Sequence, residues 1–441
     1  MSDSTLRIGS LSPIRIHTTI GSTDISPCIT GIEIIESLYT PFIMGRITVV
    51  DTESIRVIKK TRMKSDLAAK VEFSFAGLED DGITPQKEIK IDPKDYWVYK
   101  IVQGSPIGFF MQTHDIYFCH RLFFKTEAKT ISKSYKKKKV SEIVEDLGTQ
   151  LGITWNEVEK TDKTFNFVLP YRSVVAHISF LSPYGQREEN PNDVNFMFYQ
   201  ELSGKHNFVS LGKLLKAEPT FGTDVSSGYV VGINRGGDFA SVRKAVITHS
   251  VSDTNQYENA INGMHSSSVM TLDPSEKTWS ATTFFLPDQW KKQSHLSDDP
   301  LVDPSSEFYS IVNGAFSQRF YMKSRHSHCC KEQKNGNSKI GGADDWLLKR
   351  ISQIEQMNQS VVEFCTTGNS DTDKIAAGKV IFFGRKLLNE SVNTSVADKD
   401  YAGSGKYLIL TVVHNVAKTS IGKIEYTTSI RCSKDAIGEE H

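Results

Sequence analysis

The clearest pattern in the chain is the alternation of apolar and polar residues between positions 29 and 51. Ile32 and Ile34 alternate with Glu33 and Glu36, which predicts a strand with one buried face and one polar face. A Tyr-Thr-Pro-Phe corner follows, and a second alternating run then returns. Because proline interrupts a strand and favours a turn, this stretch is predicted to form a β-hairpin.

Residues 1–127 contain further short β-type runs, separated by turn residues such as Asp81-Gly82. These runs lie at 14–20, 71–75, 88–91, 96–102 and 116–119. Many short strands with polar turns are typical of a barrel or sandwich. We therefore assign residues 1–127 to a first antiparallel β-barrel domain.

The pattern changes in residues 128–235, which are predicted to form a small α/β domain. Apolar residues at helical spacing predict a helix with Ser141 as its N-cap and Gly152 as its C-cap. The other predicted elements are a strand at 165–169 ended by Pro170, a helix opened by Ser173, and a hairpin of strands 196–200 and 208–211.

Residues 236–260 and 343–436 return to strand patterns and are expected to form a second antiparallel β-barrel domain. The segment between them, 261–342, is loop-rich. It is too long for one structureless loop in a compact domain, so we expect an insertion with short elements.

The strongest helical pattern covers 344–365, where Asp344 is a suitable N-cap. An apolar seam runs from Leu347 to Cys365 at spacings of three and four, and Asn358 interrupts it. This seam is predicted to pack on its own β-domain. It could also lie between subunits, where a single amide can fix the register.

The balanced charge of the 441-residue chain argues against one class of function. It has 52 Lys plus Arg and 52 Asp plus Glu, so specific nucleic-acid binding is disfavoured as a main function. The N-terminus has no secretory pattern, and the apolar runs are too short for membrane insertion. The six cysteines are therefore expected to be reduced thiols in a protein made in the cytoplasm.

The motifs predict no catalytic, cofactor-binding or metal site. One dense cluster of soft ligands contains His326, His328, Cys329 and Cys330. Zinc sites commonly use two separated ligand pairs, and adjacent side chains of an extended chain point to opposite faces. An ordinary loop is favoured here, and metal binding by these four residues stays an open question.

Three other motifs also favour structural interpretations. Residues 369–373 imitate a calcium loop, but Lys374 replaces its glycine, which indicates a polar linker. Residues 403–406 imitate a phosphate loop, but a strand follows, which indicates a hairpin turn. The run Lys136–Lys139 could face nucleic acid, although a solvated stretch ahead of a helix is the commoner role.

The order of these patterns resembles the central baseplate hub protein of contractile-tailed bacteriophages. The same fold forms the base of the valine-glycine-repeat spikes of type VI secretion. The resemblance rests on stretches at both ends and in the middle of the chain: GIEIIESLYTPFIMGRITVVD, VSEIVEDLGTQLGITW, FNFVLPYRSVVAHISFLS, AAGKVIFF, GKYLILTVVHNV and KIEYTTSIR. The region from about Asp253 to Gly342 matches no pattern of that family.

The resemblance implies an α+β, mainly β fold with two tube-like antiparallel β-barrel domains, a small α/β domain and the insertion. It implies a non-enzymatic homotrimer that joins the sixfold tail tube to the threefold central spike and leaves a lumen for DNA. The implied partners are the spike, the tail tube or a tube-initiator protein, baseplate wedge proteins and, as a further candidate, the tape-measure protein. The implied location is the virion tail baseplate, with synthesis in the host cytoplasm and the spike as a separate chain.

Two alternatives stay open. A tail-associated cell-wall hydrolase would need a cleft with two acidic residues, and Asp298, Asp299, Asp303 and Glu307 cluster in the insertion. Acidic loops are more often simply solvated. The tail-tip hub of a non-contractile phage is the other alternative, because it shares the fold.

Overall fold

The computed structural model establishes a mainly β architecture. It describes residues 6–52, 56–63, 69–107, 111–223, 227–231, 239–252, 255–273, 277–301, 303, 306–307, 309, 319–324, 343–385, 403–419 and 422–437. With 48% strand and 23% helix, the predicted α+β, mainly β class is confirmed.

The first β-unit extends to His120 and includes the short helix α1 (Val57–Thr61). Its strands are β1 (Ser10–Leu11), β2 (Arg15–Thr18), β3 (Gly21–Asp24), β4 (Ile29–Ser37), β5 (Met44–Thr52), β6 (Lys70–Ala76), β7 (Ile89–Ile91), β8 (Tyr96–Ile107) and β9 (Met111–His120). The predicted opening hairpin is β4 and β5, which pair antiparallel.

The α/β unit follows in the chain. Its elements are α2 (Leu122–Ala128), β10 (Thr130–Lys139), α3 (Val140–Leu151), β11 (Trp155–Val158), β12 (Thr164–Ser173), α4 (Val174–Leu181), β13 (Phe196–Gln200), β14 (His206–Ser210) and α5 (Leu211–Leu215). Strands β10 and β12 form a two-stranded sheet, and β11, β14 and β13 form a three-stranded one.

The second β-unit is interrupted by the insertion. It begins with β15 (Pro219–Phe221), β16 (Tyr229–Val230), α6 (Phe239–Lys244) and β17 (Thr248–Ser252). Between β17 and the next strand of this unit lie α7 (Gln256–Asn262), the insertion elements β18 (Ser266–Asp273), β19 (Thr278–Phe285), α8 (Leu286–Gln289) and β20 (Arg319–Ser324), and then the long helix α9 (Ala343–Gln359). The unit then resumes with β21 (Ser360–Thr367), β22 (Val380–Gly384), β23 (Gly405–Lys418) and β24 (Ile424–Lys434).

One continuous sheet joins the two β-units. Its strand order is β17-β21-β24-β23-β4-β5-β9-β8-β6-β2-β3, and β23 of the second unit pairs directly with β4 of the first. Two separate barrels were predicted. Among the described strands the order is open at both ends, so no closed barrel is present in that part of the chain.

The same arrangement of four strands occurs twice in this sheet. The first repeat has the spatial order β4-β5-β9-β8, and the second has β17-β21-β24-β23. In both repeats the first two strands along the chain are neighbours, and the last two form a hairpin placed in reverse order. The insertion therefore occupies the position that the short β4–β5 turn has in the first repeat.

Local signals in the α/β unit predicted most of its helix ends. Gly152 ends α3 with φ +82°, and the Ser173 hydroxyl accepts a hydrogen bond from the Ala176 amide at 3.4 Å. The N-cap of α3 is Lys139 rather than Ser141. Strand β12 does not stop at Pro170, which lies within a register shift of its pairing with β10, and proline is tolerated at such irregularities.

The long helix α9 is shorter than predicted. It ends at Gln359, and the residues that were expected to extend it to Cys365 form β21 instead. Its buried side chains include Ser352, Gln353 and Gln356, whereas Asn358 is exposed. The apolar seam assigned to this helix was therefore wrong in its second half.

The insertion is more regular than its loop-rich sequence suggested. Its described part contains a sheet of order β19-β18-β20, in which β18 and β20 run parallel. Val269 of this sheet shares a hydrophobic core with Trp346 and Leu348 of α9. The first part of the long helix thus packs against the insertion.

The corner of the opening hairpin is where three hydrophobic cores meet. Leu38 belongs to a core with the second β-unit, Phe42 to the core of the α/β unit, and Ile43 to the core of the first β-unit. The Phe42 ring packs edge-on against Phe123 and His206, with centroid distances of 6.2 and 5.7 Å. This corner fixes the three units to one another.

Removing the Phe42 ring should loosen this junction. We expect Phe42→Ala to lower the apparent free energy of unfolding by about 3–5 kcal/mol, the usual cost of emptying a buried aromatic site. Phe42 is 1% exposed, whereas Tyr39 in the same corner is 58% exposed. Denaturant unfolding should show the large loss for Phe42→Ala and a much smaller one for the control Tyr39→Ala. Equal losses would contradict the assignment.

Candidate functional site

A half-buried polar face crosses both β-units on one side of the continuous sheet. Directly opposed residues share a face, so the registers can be followed from strand to strand. One row joins Glu363, Arg431 and Thr411, and another joins Asn415, Glu33, Arg46, Tyr117 and Lys100. The opposite side of the sheet carries the buried apolar residues, including Ile34, Ile47 and Val412.

Charges on this polar face are balanced by pairs across the strands. Glu33 and Arg46 make an ion pair of 2.6 Å in the first repeat, and Glu363 and Arg431 make one of 3.3 Å in the second. Asp115 accepts a hydrogen bond from the Thr48 hydroxyl at 2.7 Å. The face is therefore hydrophilic without a strong excess of either charge.

A shallow groove of about 550 Å³ follows the polar face at the end of the second repeat. Its lining includes His249 of β17, Glu363 of β21 and Arg431 of β24. The groove lies beside β17, the end strand of the sheet. A polar surface and a strand edge thus lie together at this end.

The seam between the repeats is the pairing of β23 with β4. It runs from Thr411 opposite Ser37 to Ala417 opposite Gly31. The hydroxyl groups of Ser37 and Thr411 are 2.9 Å apart. The last strand of the second repeat thus meets the first strand of the first repeat.

A bulge aligns the two repeats residue by residue. β23 has one extra residue, Leu410, between the pairs it makes through Ile409 and Thr411, and β8 has one extra residue, Tyr99, at the corresponding place. Leu408 pairs with Val380 of β22 two residues before the first bulge. Trp97 pairs with Lys70 of β6 two residues before the second. Two independent landmarks therefore give the same alignment of β8 with β23.

Glu36 is a buried carboxyl at the junction of all three units, and the sequence pattern did not reveal it. It lies on the buried face of β4, in step with Ile32 and Ile34, and is 0% exposed. Its carboxyl oxygens accept hydrogen bonds from Ala377 N at 2.9 Å and Leu202 N at 3.3 Å. Burial, opposed by these bonds, raises the pKa of Glu36 to about 8.

Residues 369–373 are a structural joint, so the prediction of a polar linker was wrong for its buried members. Asn369 and Ser370 are buried. The Ser370 hydroxyl accepts a hydrogen bond from Gly77 N at 2.9 Å and donates one to the Lys87 carbonyl at 2.8 Å. This short segment of the second β-unit is thereby fixed to the first.

A buried histidine lies beside this joint. His414 on β23 is 2.7 Å from the Tyr426 hydroxyl, which donates a hydrogen bond to the Asn369 carbonyl. Nδ1 of His414 must therefore be the donor to the tyrosine oxygen. Burial lowers the pKa of His414 to about 4, and burial likewise lowers the pKa of His120 to about 4 and of His206 to about 3.

The acidic residues on which the hydrolase alternative depends lie on the surface of the described structure. Asp298, Asp299, Asp303 and Glu307 are exposed. The carbonyl groups of Asp298 and Asp299 accept hydrogen bonds from Trp290 Nε1 and Ile437 N, each at 2.8 Å. This loop thus attaches the C-terminal segment to the insertion.

The remaining candidate motifs have structural surroundings or lie outside the described residues. His326, His328, Cys329 and Cys330 are outside them, and the ranges that are described contain no group of three potential metal ligands. No described helix is long and apolar enough to cross a bilayer.

The lysine run lies within β10, ahead of α3. Lys138 and Lys139 pair with Glu142 and Glu188 at 3.4 and 2.5 Å. Gly405 begins β23, so a strand rather than a helix follows the segment that imitates a phosphate loop.

Glu36 should make the stability of the fold depend on pH between about 4.5 and 8. Its pKa is raised in the folded state, so folding retains a proton that the unfolded chain releases, and stability falls as the pH rises from about 4.5 to 8. We expect Glu36→Gln to flatten this slope, because glutamine does not titrate. The pH-dependent change in the free energy of unfolding should shrink by a few kcal/mol, since each tenfold change in proton affinity is worth about 1.4 kcal/mol. Melting temperatures from pH 5 to 9 measure it, with Glu33→Gln as control. A Glu36→Gln profile parallel to wild type would refute the assignment.

The buried histidines should limit stability on the acid side. Their pKa values are lowered in the folded state, so the unfolded chain takes up protons first, and stability is lost as the pH falls from about 6.5 to 4. We expect His206→Phe to make this loss shallower, because it removes one of the buried titrating groups. A phenyl ring suits the site, since the His206 ring packs among Phe42, Phe198 and Trp155. His249→Gln at an exposed site is the control and should leave the acid limb unchanged. An unchanged limb in His206→Phe would count against the prediction.

A solved tail protein shares the fold of this chain over nearly its whole length, and other solved proteins align more weakly. The 43 kDa tail protein of prophage MuSo2 from Shewanella oneidensis aligns with a TM-score of 0.51 and 9% identity, over 97% of this chain and 100% of that chain. A tail protein from Neisseria meningitidis MC58 gives 0.49 and 7%, over 96% and 97%. The Francisella PdpA–VgrG complex gives 0.45 and 11%, over 100% of this chain and 55% of that chain.

Sequence comparison adds no family. No protein-family model matches the chain, and no curated protein matches it. The fold shared with the MuSo2 tail protein, at 9% sequence identity, is what these comparisons establish.

Proposed function

We propose that this chain is the central hub of a phage tail baseplate, a structural protein that acts by assembly. Three copies would join the sixfold tail tube to the threefold spike. The observation that carries this proposal is the repeated strand order, β4-β5-β9-β8 and β17-β21-β24-β23, within one sheet. A chain with two similar units can present six of them from three copies.

The seam determines the symmetry of the proposed ring. Inside the chain, β23, the last strand of the second repeat in spatial order, pairs with β4, the first strand of the first repeat, which is a head-to-tail contact. Head-to-tail contacts generate rings when the rotation closes. Three chains would give a ring that is nearly sixfold at the repeats and threefold at the α/β unit and insertion, which occur once per chain.

The polar face is proposed to line the channel of that ring. Its acidic and basic groups neutralise each other through the Glu33–Arg46 and Glu363–Arg431 pairs. A DNA phosphate gains affinity mainly from unpaired Lys and Arg that release its counterions. A wall with paired charges would let DNA pass without holding it, in keeping with the absence of specific nucleic-acid binding in the proposed role.

The partners follow from this role. They are two further copies of the chain, the central spike protein, the tail tube or a tube-initiator protein, and baseplate wedge proteins, with the tape-measure protein as a candidate inside the channel. The proposed location is the virion tail baseplate, after synthesis in the host cytoplasm. No membrane insertion forms part of the role.

Two other functions compete with this role. The hydrolase alternative relied on Asp298, Asp299, Asp303 and Glu307, which are exposed in the structure, so we propose that the protein is not an enzyme. The tail-tip hub of a non-contractile phage is supported equally by the repeated strand order. Its distinguishing property is a particle without a sheath-linked baseplate.

The mass of the native protein tests the proposal. Light scattering or native mass spectrometry of the purified full chain should give three times 49.4 kDa, and particle images should show a ring with a central opening. The same preparation should leave cell-wall zymograms uncleared. A strict monomer at all concentrations, or clearing by this protein alone, would count against the hub.

A further inference from the structure

We infer that β8 of one copy pairs with β17 of the next copy, in the register that β23 and β4 use within the chain. This inference rests on the proposed hub function, because it identifies the contact that would close the ring. It names a second copy of this chain as the partner of two strand edges.

In the described part of the sheet, the whole outer edge of β17 and most of the outer edge of β8 have no neighbouring strand. β17 is the end strand, and four of its five residues are exposed. β8 pairs with β6 only through Trp97 and Lys70, so its edge beyond Val98 is open within the described residues. Unpaired strand edges are templates for pairing with another strand.

The repeat alignment specifies which edges are complementary. β8 occupies the position of β23, and β17 occupies the position of β4. β23 and β4 already pair inside the chain. The edges of β8 and β17 are equivalent to theirs in strand position and in strand direction. The contact joins two different edges, so each copy offers one of each and a ring can close, whereas pairing of β8 with itself would stop at a dimer.

The positions of the two bulges determine which residues of β8 and β17 would lie opposite each other. Thr411 follows the bulge in β23 and Lys100 follows it in β8, so Val413 corresponds to Val102. On the other side, Glu33 pairs with Arg46 while Ser250 pairs with Glu363.

The two partner strands complete the alignment. Arg46 corresponds to Glu363, because Arg46 faces Tyr117 and Glu363 faces Arg431 at equivalent places in their repeats. Ser250 therefore corresponds to Glu33, and Ser252 to Ile35.

The in-chain pair Val413–Ile35 thus predicts a contact between copies. Val413 lies directly opposite Ile35 on the polar face. Its counterpart is Val102 of one copy opposite Ser252 of the next. Six strands separate β8 from β17 within one chain, so a bond between these two positions reports a contact between copies.

Disulfide trapping tests this register. The double variant Val102→Cys/Ser252→Cys should form a trimer-sized band as the main species after mild oxidation of the purified full chain, and reduction should reverse it. The matched control Val102→Cys/Ser250→Cys is two residues out of register on the same face. Diagonal neighbours lie about 7–8 Å apart, beyond ordinary disulfide geometry, so we expect it to cross-link at least tenfold less.

The outcomes separate the seam from the hub. Trimers by mass without cross-linking in Val102→Cys/Ser252→Cys would overturn the seam and leave the hub intact. Preferential cross-linking of the shifted pair would overturn the register. Monomers by mass would overturn both, and open ladders of cross-linked chains would support the seam and overturn the threefold ring.

Hydrogen exchange of the unmodified protein gives a second reading that does not depend on the cysteine variants folding. Amides of 100–103 and 248–252 should exchange at least tenfold more slowly in the assembled protein than in protein diluted until it dissociates. Amides of the in-chain seam, 411–417, should be protected in both samples. Equal exchange of the two proposed edges in both samples would overturn the inference.

Discussion

Backbone hydrogen bonds between β4 and β23 bring together residues such as Ser37 and Thr411, which are 374 positions apart in the chain. Without this pairing, the chain would have two β-units with separate edges. With it, both units share one sheet, one buried face and one polar face. Contacts between such distant residues are costly in loop-closure entropy and form slowly. The seam is therefore expected to depend on prior folding of each hairpin.

Burial of Glu36 and Phe42 follows from this constraint. The end of β4 is surrounded by the α/β unit on one side and the second β-unit on the other, so its last side chains lose contact with water. Glu36 is accommodated by backbone amides of both neighbours, and Phe42 fills the core of the α/β unit. A short corner thereby positions three units, and the proposed assembly role requires such a fixed relation between the repeats.

The hairpin and the helix ends were accessible from local sequence, because alternation, Gly152 and Ser173 report on neighbouring backbone alone. The burial of Glu36 was missed. Its charge placed it with Glu33 on the polar face, although it shares the parity of the buried Ile32 and Ile34. The end of α9 was missed because Val361 and Cys365 fit a helical spacing as well as a strand. The shared sheet and the burial of Asn369 depend on partners far along the chain, which no local pattern contains.

The repeated strand order underlies the proposal that three chains line one channel with their polar faces. A density map of the assembled protein at a resolution that separates strands is the sharpest test of this proposal. We expect twenty-four strands around the opening, eight from each of three chains, with the Glu33–Arg46 and Glu363–Arg431 pairs facing inward. A map in which these pairs face outward, or in which the strands of neighbouring chains do not surround a common channel, would contradict it.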